Sequence, residues 1–192
     1  MKNTEKMIVR VLKWRKMEGV SDIKSSDLNE CLKNKGSLYL HNRDKDGKQL
    51  LVSDVKKHIK AETKLHDLKK LFLYFLERVD REDSDGMVTY ILDCGGSSYK
   101  NLDLEFVMFL NKALSAYYPY IVNYIIVLDM PWLFGATWNI IKGWLGQGAA
   151  DKIKFVNKKT IDEFIPQDQQ FVTWGGKDDW VYKFVEEEPQ QY

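Results

Sequence analysis

The chain has 192 residues, 44% of them hydrophobic, and carries 29 basic against 28 acidic side chains for a net charge of +1. That size suits one globular domain with a sizeable core, and the near balance of charge gives no reason to expect a nucleic-acid partner or a polybasic tail. Two cysteines, Cys31 and Cys94, are too few for a disulfide framework and read as free thiols of a reducing compartment.

From the start, Met1 to Arg15 is charged throughout and lacks the apolar run of a signal peptide. Within it Ile8, Val11 and Leu12 recur at helical spacing beside Trp14, so Lys6 to Lys16 reads as the end of a helical region. Gly36–His41 and Gln49–Ser53 flank Asp44-Lys-Asp-Gly47, whose Asp-Gly step favours positive φ, and this predicts a β-hairpin. Leu68, Leu71, Phe72, Phe75, Leu76 and Val79 give Leu65 to Arg81 one buried helical face. Val88–Asp93 is β-rich, bounded by Gly86 and Gly95-Gly96, and short enough for an interior strand. A helix over Leu104 to Tyr118 ends at Pro119, and the strand Tyr124–Asp129 follows. Next come a helix over Leu133 to Leu145, stopped by Gly146, and a short strand over Lys152–Val156. The longest apolar-rich run, Tyr117 to Leu145, is broken by Pro119, Asn123, Asp129 and Pro131, short of the roughly 20 apolar residues of a bilayer span. Glu186-Glu-Glu188 and beyond read as a frayed tail.

Strand and helix therefore alternate, which implies an α/β fold: parallel strands with right-handed crossovers, flanking helices, and a mixed edge from the hairpin. In such folds the chemistry sits in the loops after the strands. Asp93-Cys-Gly-Gly-Ser-Ser98 lacks the third glycine of a dinucleotide fingerprint, the Gly-Lys-Ser/Thr ending of a P-loop and the Gly-x-Ser-x-Gly elbow. It reads as a tight turn in which Ser97 or Ser98 satisfies backbone groups. Cys94 has no adjacent activator, and His41, His58 and His66 share no zinc spacing. The expectation is a protein with no catalytic residues, metal or cofactor. Lys56-Lys-His-Ile-Lys60 is a basic cluster that reads as a solvated face, with anionic headgroups as the alternative.

Between Tyr117 and Trp144 aromatic residues are dense, and half of the six tryptophans lie there. Leu133, Phe134, Trp138, Ile140, Ile141, Trp144 and Leu145 span an arc of roughly 160°, wider than the about 100° a surface helix needs. Core packing alone is one account of that arc. The order Tyr117-Tyr-Pro119, strand, Asp129-Met-Pro-Trp-Leu-Phe134, Lys142-Gly-Trp-Leu145 and Asp151-Lys-Ile-Lys154 resembles the diagnostic region of CRAL-TRIO domains. Trp14-Arg15, the hairpin, Ile91-Leu-Asp93 and Gly175-Gly176 extend the resemblance over nearly the whole chain. Trp14-Arg-Lys16, Ser37-Leu-Tyr-Leu-His41, Phe75-Leu-Glu-Arg78 and Asp129-Met-Pro-Trp-Leu133 look most like the domain of motile sperm domain-containing proteins.

The resemblance implies a remnant of an N-terminal helical region over 1–35, a lipid-binding domain over 36–182 and a tail over 183–192. It implies an apolar cavity floored by the sheet, with Leu133 to Leu145 as a gating helix that opens at a membrane surface. Gly135, Gly143, Gly146 and Gly148 offer hinge freedom to that helix. The ligand-binding residues it points to are Tyr118, Tyr120, Trp132, Phe134, Trp138, Ile141, Trp144 and Lys152. The partners are then a hydrophobic lipid and a membrane, for a cytoplasmic, peripheral and monomeric protein whose parent is anchored at the endoplasmic reticulum. A ligand-free membrane-docking or adaptor module is the alternative. Phosphatidylinositol-transferring members place Glu, Thr and Lys where this chain has Tyr120, Ala149 and Lys152. A phenol and a methyl cannot replace a carboxylate and a hydroxyl as acceptors, so phosphatidylinositol is not the expected cargo.

Overall fold

A computed structural model describes residues 2–83, 86–145 and 149–187. Five strands, β1 (Leu38–Arg43), β2 (Gln49–Asp54), β3 (Val88–Asp93), β4 (Val122–Leu128) and β5 (Ile153–Val156), form one sheet in sequence order. The hairpin strand β1 runs antiparallel to β2, and β2 through β5 are parallel. The connecting helices are α3 (Leu65–Glu82), α4 (Leu104–Lys112) and α5 (Gly135–Lys142), preceded by α1 (Lys2–Glu18) and α2 (Glu30–Lys35). Because each right-handed crossover steps in the same direction across the sheet, all three connecting helices belong on one face.

Alternation along the strands sorts the core into two layers. Leu51, Val88 and Tyr90 pack with α3 and α4, where Phe72 meets Tyr90, Phe106 and Phe109 edge-on. Leu50, Val52, Ile91, Ile126 and Leu128 face the other way, against Ile161, Ile165, Phe171 and Trp174. No α-helix covers that second face among the described residues; short 3₁₀ turns between Ile161 and Trp174 do. Trp174 Nε1 donates to Asp93 Oδ2 at 2.8 Å, tying this cover to the end of β3. Gly176 is required there, since a Cβ would run into the Gln170 backbone.

The predicted hairpin turn is built around Asp44, which is 4% exposed. Its Oδ1 accepts from the Asp46 and Lys48 amides at 2.9 and 2.8 Å, and its Oδ2 from Thr89 Oγ1 and Asn123 Nδ2 at 2.6 and 3.0 Å. One carboxylate thus shapes the turn and pins it to β3 and β4. Asp44→Ala is expected to cost about 3 kcal/mol, because the substitution removes a charged acceptor from four donors, among them the buried Thr89 hydroxyl. Urea unfolding checks this, and a loss under about 1 kcal/mol would show that the turn holds its shape without the side chain.

Three elements depart from their predicted bounds for local reasons. The helix starting at Leu104, capped by Asp103 Oδ1 accepting from the Phe106 amide at 3.1 Å, passes into a turn of π-helix over Ala113–Tyr117 before Pro119 ends it. The predicted helix over Leu133 to Leu145 opens as a 3₁₀ turn, Trp132–Phe134, and its α-helical part is only Gly135–Lys142, since Gly143 ends it. Gly146 and Gly148, two of the four proposed hinge glycines, lie outside the described residues. The segment expected to fray is held as far as Glu187: Phe184 stacks on Tyr74, and Arg81 Nε and Nη2 donate to the Glu187 carboxylate at 2.6 and 2.9 Å. Tyr182 OH donates to the Lys33 carbonyl at 2.5 Å, and its ring lies against Gly36, where a Cβ would not fit.

Candidate functional site: an apolar cavity beneath α5

Between the sheet and α5 lies a cavity of about 490 Å³, within the about 300–1,000 Å³ of small-molecule sites. Its floor is the helix-side face of the parallel strands, with Leu92, Val122, Ile125, Val127, Ile153 and Phe155. Phe106, Val107, Leu110 and Leu114 of α4 and its π turn form one wall. The roof is Phe134, Thr137, Trp138, Ile141 and Leu145, which recur at three- and four-residue spacing and so share one helical face. Leu110 and Leu114 repeat that spacing on the wall. The α-helical part of this roof has no buried residue. Its inward side chains Thr137, Trp138 and Ile141 border the cavity, which separates it from α3, with nine buried positions.

Few polar ties hold the roof down. Tyr99 OH donates to the Leu133 carbonyl at 3.1 Å at its start, and Asn111 Nδ2 donates to the Trp144 carbonyl at 3.1 Å past its end. Between these, Trp138 meets Phe155 of β5 edge-on at 4.8 Å.

The eight residues singled out from the sequence are placed in different settings. Phe134, Trp138, Ile141 and Lys152 line the cavity. Lys152 Nζ donates to the Val122 carbonyl at 2.5 Å, so the cation already has one internal acceptor. Tyr118 is buried beside the cavity, in the core that receives α1: its ring meets Trp14 edge-on, while Trp14 stacks on Tyr117 at 4.0 Å. Trp144 is half-buried and does not border the cavity. Tyr120 and Trp132 stand on the outer surface, 77% and 91% exposed. Pro119 and Pro131 beside them end one element and begin another, so both aromatic side chains project from turns.

At the carboxyl ends of β2 and β3 the lining turns polar, with Ser37, Ser53, Asp54, His58, Asn101 and Asp103. The basic run read as solvated delivers His58 inward, 9% exposed. Asn101 fixes it, with Nδ2 donating to the Lys56 and His58 carbonyls at 3.0 and 2.7 Å. His58 Nε2 stands 3.4 Å from Asp103 Oδ2, yet neither ring nitrogen has a well-formed hydrogen bond among the described residues. Burial holds His58 below its ordinary value against the opposing pull of Asp103, and burial raises Asp54 while Lys56 and Lys57 oppose it. Cys94 also lines the cavity, where burial pushes its thiol up to about 12; an inert thiol results, not a nucleophile. In the loop after β3, Ser97 Oγ donates to the Cys94 carbonyl at 2.6 Å, the turn role expected of it. Sequence reading missed this polar end because Asp103 and His58 are 45 positions apart; the only local signal was the helix-capping pattern at Asp103.

The CRAL/TRIO domain model matches residues 33–176. The chain is 28% identical over 190 residues to the phosphatidylinositol transfer protein CSR1 of Eremothecium gossypii, covering 92% of this chain and 44% of that protein. It is 26% identical over 154 residues to the CRAL-TRIO domain-containing protein C3H8.02 of Schizosaccharomyces pombe, covering 79% of this chain and 35% of that one. The chain therefore spans less than half the length of these two relatives. The crystal structure of Sfh5 superposes with a TM-score of 0.75 at 13% identity, over 98% of this chain and 75% of that one.

Proposed function

This chain belongs to the CRAL/TRIO domain family, and from that premise we propose that it binds a hydrophobic lipid in the cavity beneath α5 and exchanges it at membranes. The observation that carries the reading is the cavity of about 490 Å³ with an apolar floor and wall. An empty apolar cavity forfeits the dispersion contacts its lining would otherwise make, and a cargo recovers them. Each buried methylene contributes about 0.8 kcal/mol, so affinity is ample and release is the kinetic problem.

A roof whose α-helical part has no buried residue, tied among the described residues by hydrogen bonds at its two ends, suits a gate that swings open. Trp132 at its start, 91% exposed, and Ile140 on its outer face, 52% exposed, are the side chains to enter lipid first. In this reading Phe134, Trp138, Ile141 and Lys152 touch the cargo, Tyr120 and Trp132 touch the membrane, and Tyr118 and Trp144 support the frame. The protein acts without catalysis, on the cytosolic face of membranes. The narrower kinship with motile sperm domain-containing proteins, and with it anchoring of a longer parent at endoplasmic reticulum contact sites, rests on the motif segments around Trp14, Phe75 and Asp129.

Phosphatidylinositol is not the preferred cargo on this reading, although one relative is named for its transfer. Lys152 is engaged by the Val122 carbonyl, and Tyr120 points to solvent in place of an acceptor.

Native mass spectrometry after incubation with vesicles of mixed phospholipids, diacylglycerol and sterol is expected to show one lipid per chain, with phosphatidylinositol not enriched. Absence of any retained lipid would sink the transfer reading and favour a ligand-free docking module. Selective phosphatidylinositol retention that Lys152→Ala removes would overturn the cargo assignment alone.

A further inference from the structure

The inner end of the cavity holds polar atoms that make no well-formed hydrogen bond among the described residues, His58 Nε2 being approached by Asp103 Oδ2 at 3.4 Å. Ser37 Oγ, Asp54 Oδ1 and both ring nitrogens of His58 are buried and make no hydrogen bond among the described residues, on residues 4%, 8% and 9% exposed. All three residues line the cavity. They are held together: the Asp54 amide donates to the Ser37 carbonyl at 3.0 Å, and Asn101 fixes the His58 backbone. A hydrocarbon cargo would bury these atoms unpaired, which is costly.

Charge narrows what can satisfy them. Lys57 and Lys56 approach Asp54 Oδ2 at 3.6 and 3.9 Å, and Lys60 approaches Asp103 Oδ1 at 3.9 Å, all three from partly exposed positions. Each carboxylate is thus compensated from the solvent side, and no cation among the described residues lines this end of the cavity. A phosphate placed here would meet two carboxylates; a quaternary ammonium would offer no donor. A hydroxyl offers both a donor for Asp54 Oδ1 and an acceptor for Ser37 Oγ or a ring N–H of His58.

We infer that Ser37, Asp54 and His58 form a head-group site for an uncharged lipid alcohol, which enters hydroxyl first with its apolar body along the sheet floor. This rests on the lipid-binding reading above and adds its chemical class and orientation. The site discriminates by the rule that buried groups built to hydrogen-bond a hydroxyl reject the analogue lacking it.

The test uses the full chain and displacement of a fluorescent apolar probe from the cavity by four ligands of equal chain length: dodecane, 1-dodecanol, dodecyl phosphate and dodecylamine. Dodecanol is expected to bind at least about tenfold tighter than dodecane, from two new hydrogen bonds in place of unpaired groups. His58→Leu and Asp54→Leu are expected to cut that ratio at least about threefold while dodecane binds as well or better. Ser37→Ala, a one-atom change, keeps the comparison open should either larger change impair folding. Equal binding of dodecanol and dodecane, or a ratio unmoved in all three variants, would overturn the site. Tighter binding of dodecyl phosphate would instead make it an anion site, and of dodecylamine an amine site, each replacing the inference. Failure of dodecane itself to displace the probe would strike the lipid-binding reading and, with it, this one.

Discussion

Ile125→Trp is expected to lower lipid loading roughly a hundredfold while the chain remains folded. Ile125 sits mid-strand in β4, pairs in register with Tyr90 of β3 and Ile153 of β5, and yet is only half-buried. The reason is that its side chain borders the cavity floor and not another side chain on every side. An indole placed there fills volume that cargo would take. Displacing about four methylenes at about 0.8 kcal/mol each removes about 3 kcal/mol of binding, roughly a hundredfold. Overpacking normally costs about 1–3 kcal/mol in a filled core; into empty space the cost falls at the low end, so the urea midpoint is expected to move little. Retained loading at unchanged stability would show that lipid binds elsewhere.

Glu77→Ala is expected to destabilise the fold by about 3 kcal/mol, the lower end of the effect of breaking a buried ion pair. The Glu77 carboxylate, with a side chain 4% exposed, accepts from Arg15 Nη2 at 2.6 Å and from Tyr118 OH at 2.5 Å. Burial first, and then the neighbouring carboxylate, raise Tyr118, so its phenol keeps the proton it donates. Arg15 is partly exposed and can turn to water when its partner is lost; Tyr118, 6% exposed, cannot. At about 2–4 °C per kcal/mol for a chain of this size, the melting temperature should fall by about 6–12 °C. Because Arg15 belongs to α1, the same change should speed proteolysis within α1, and Arg15→Met combined with Glu77→Leu should recover part of the loss. A melting temperature within about 2 °C of the parent would place the docking of α1 in Trp14 stacking alone.

Legibility differed by level of organisation. The sequence by itself determined the elements, because the periods of 2 and 3.6 are local: Val88–Asp93, the apolar face of Leu65 to Arg81 and the Asp44–Gly47 turn are each written within a few neighbouring positions. It also determined the parallel sheet, since alternation and crossover handedness leave few topologies. Aromatic density marked the cavity region but could not sort its members: Trp138, in the apolar arc, borders the cavity, whereas Trp132, in the 3₁₀ turn after Pro131, faces solvent. Only the tertiary structure decided that the second face of the sheet is covered by irregular turns ending at Trp174, a segment with no period to read. It alone brought Ser37, Asp54, His58 and Asp103 to one end of the cavity, since each lies beyond the reach of local patterning from most of the others and looks, in its own stretch, like an ordinary turn, strand-end or capping residue. Burial turns such residues into a site, and burial is a property of what the rest of the chain packs around them.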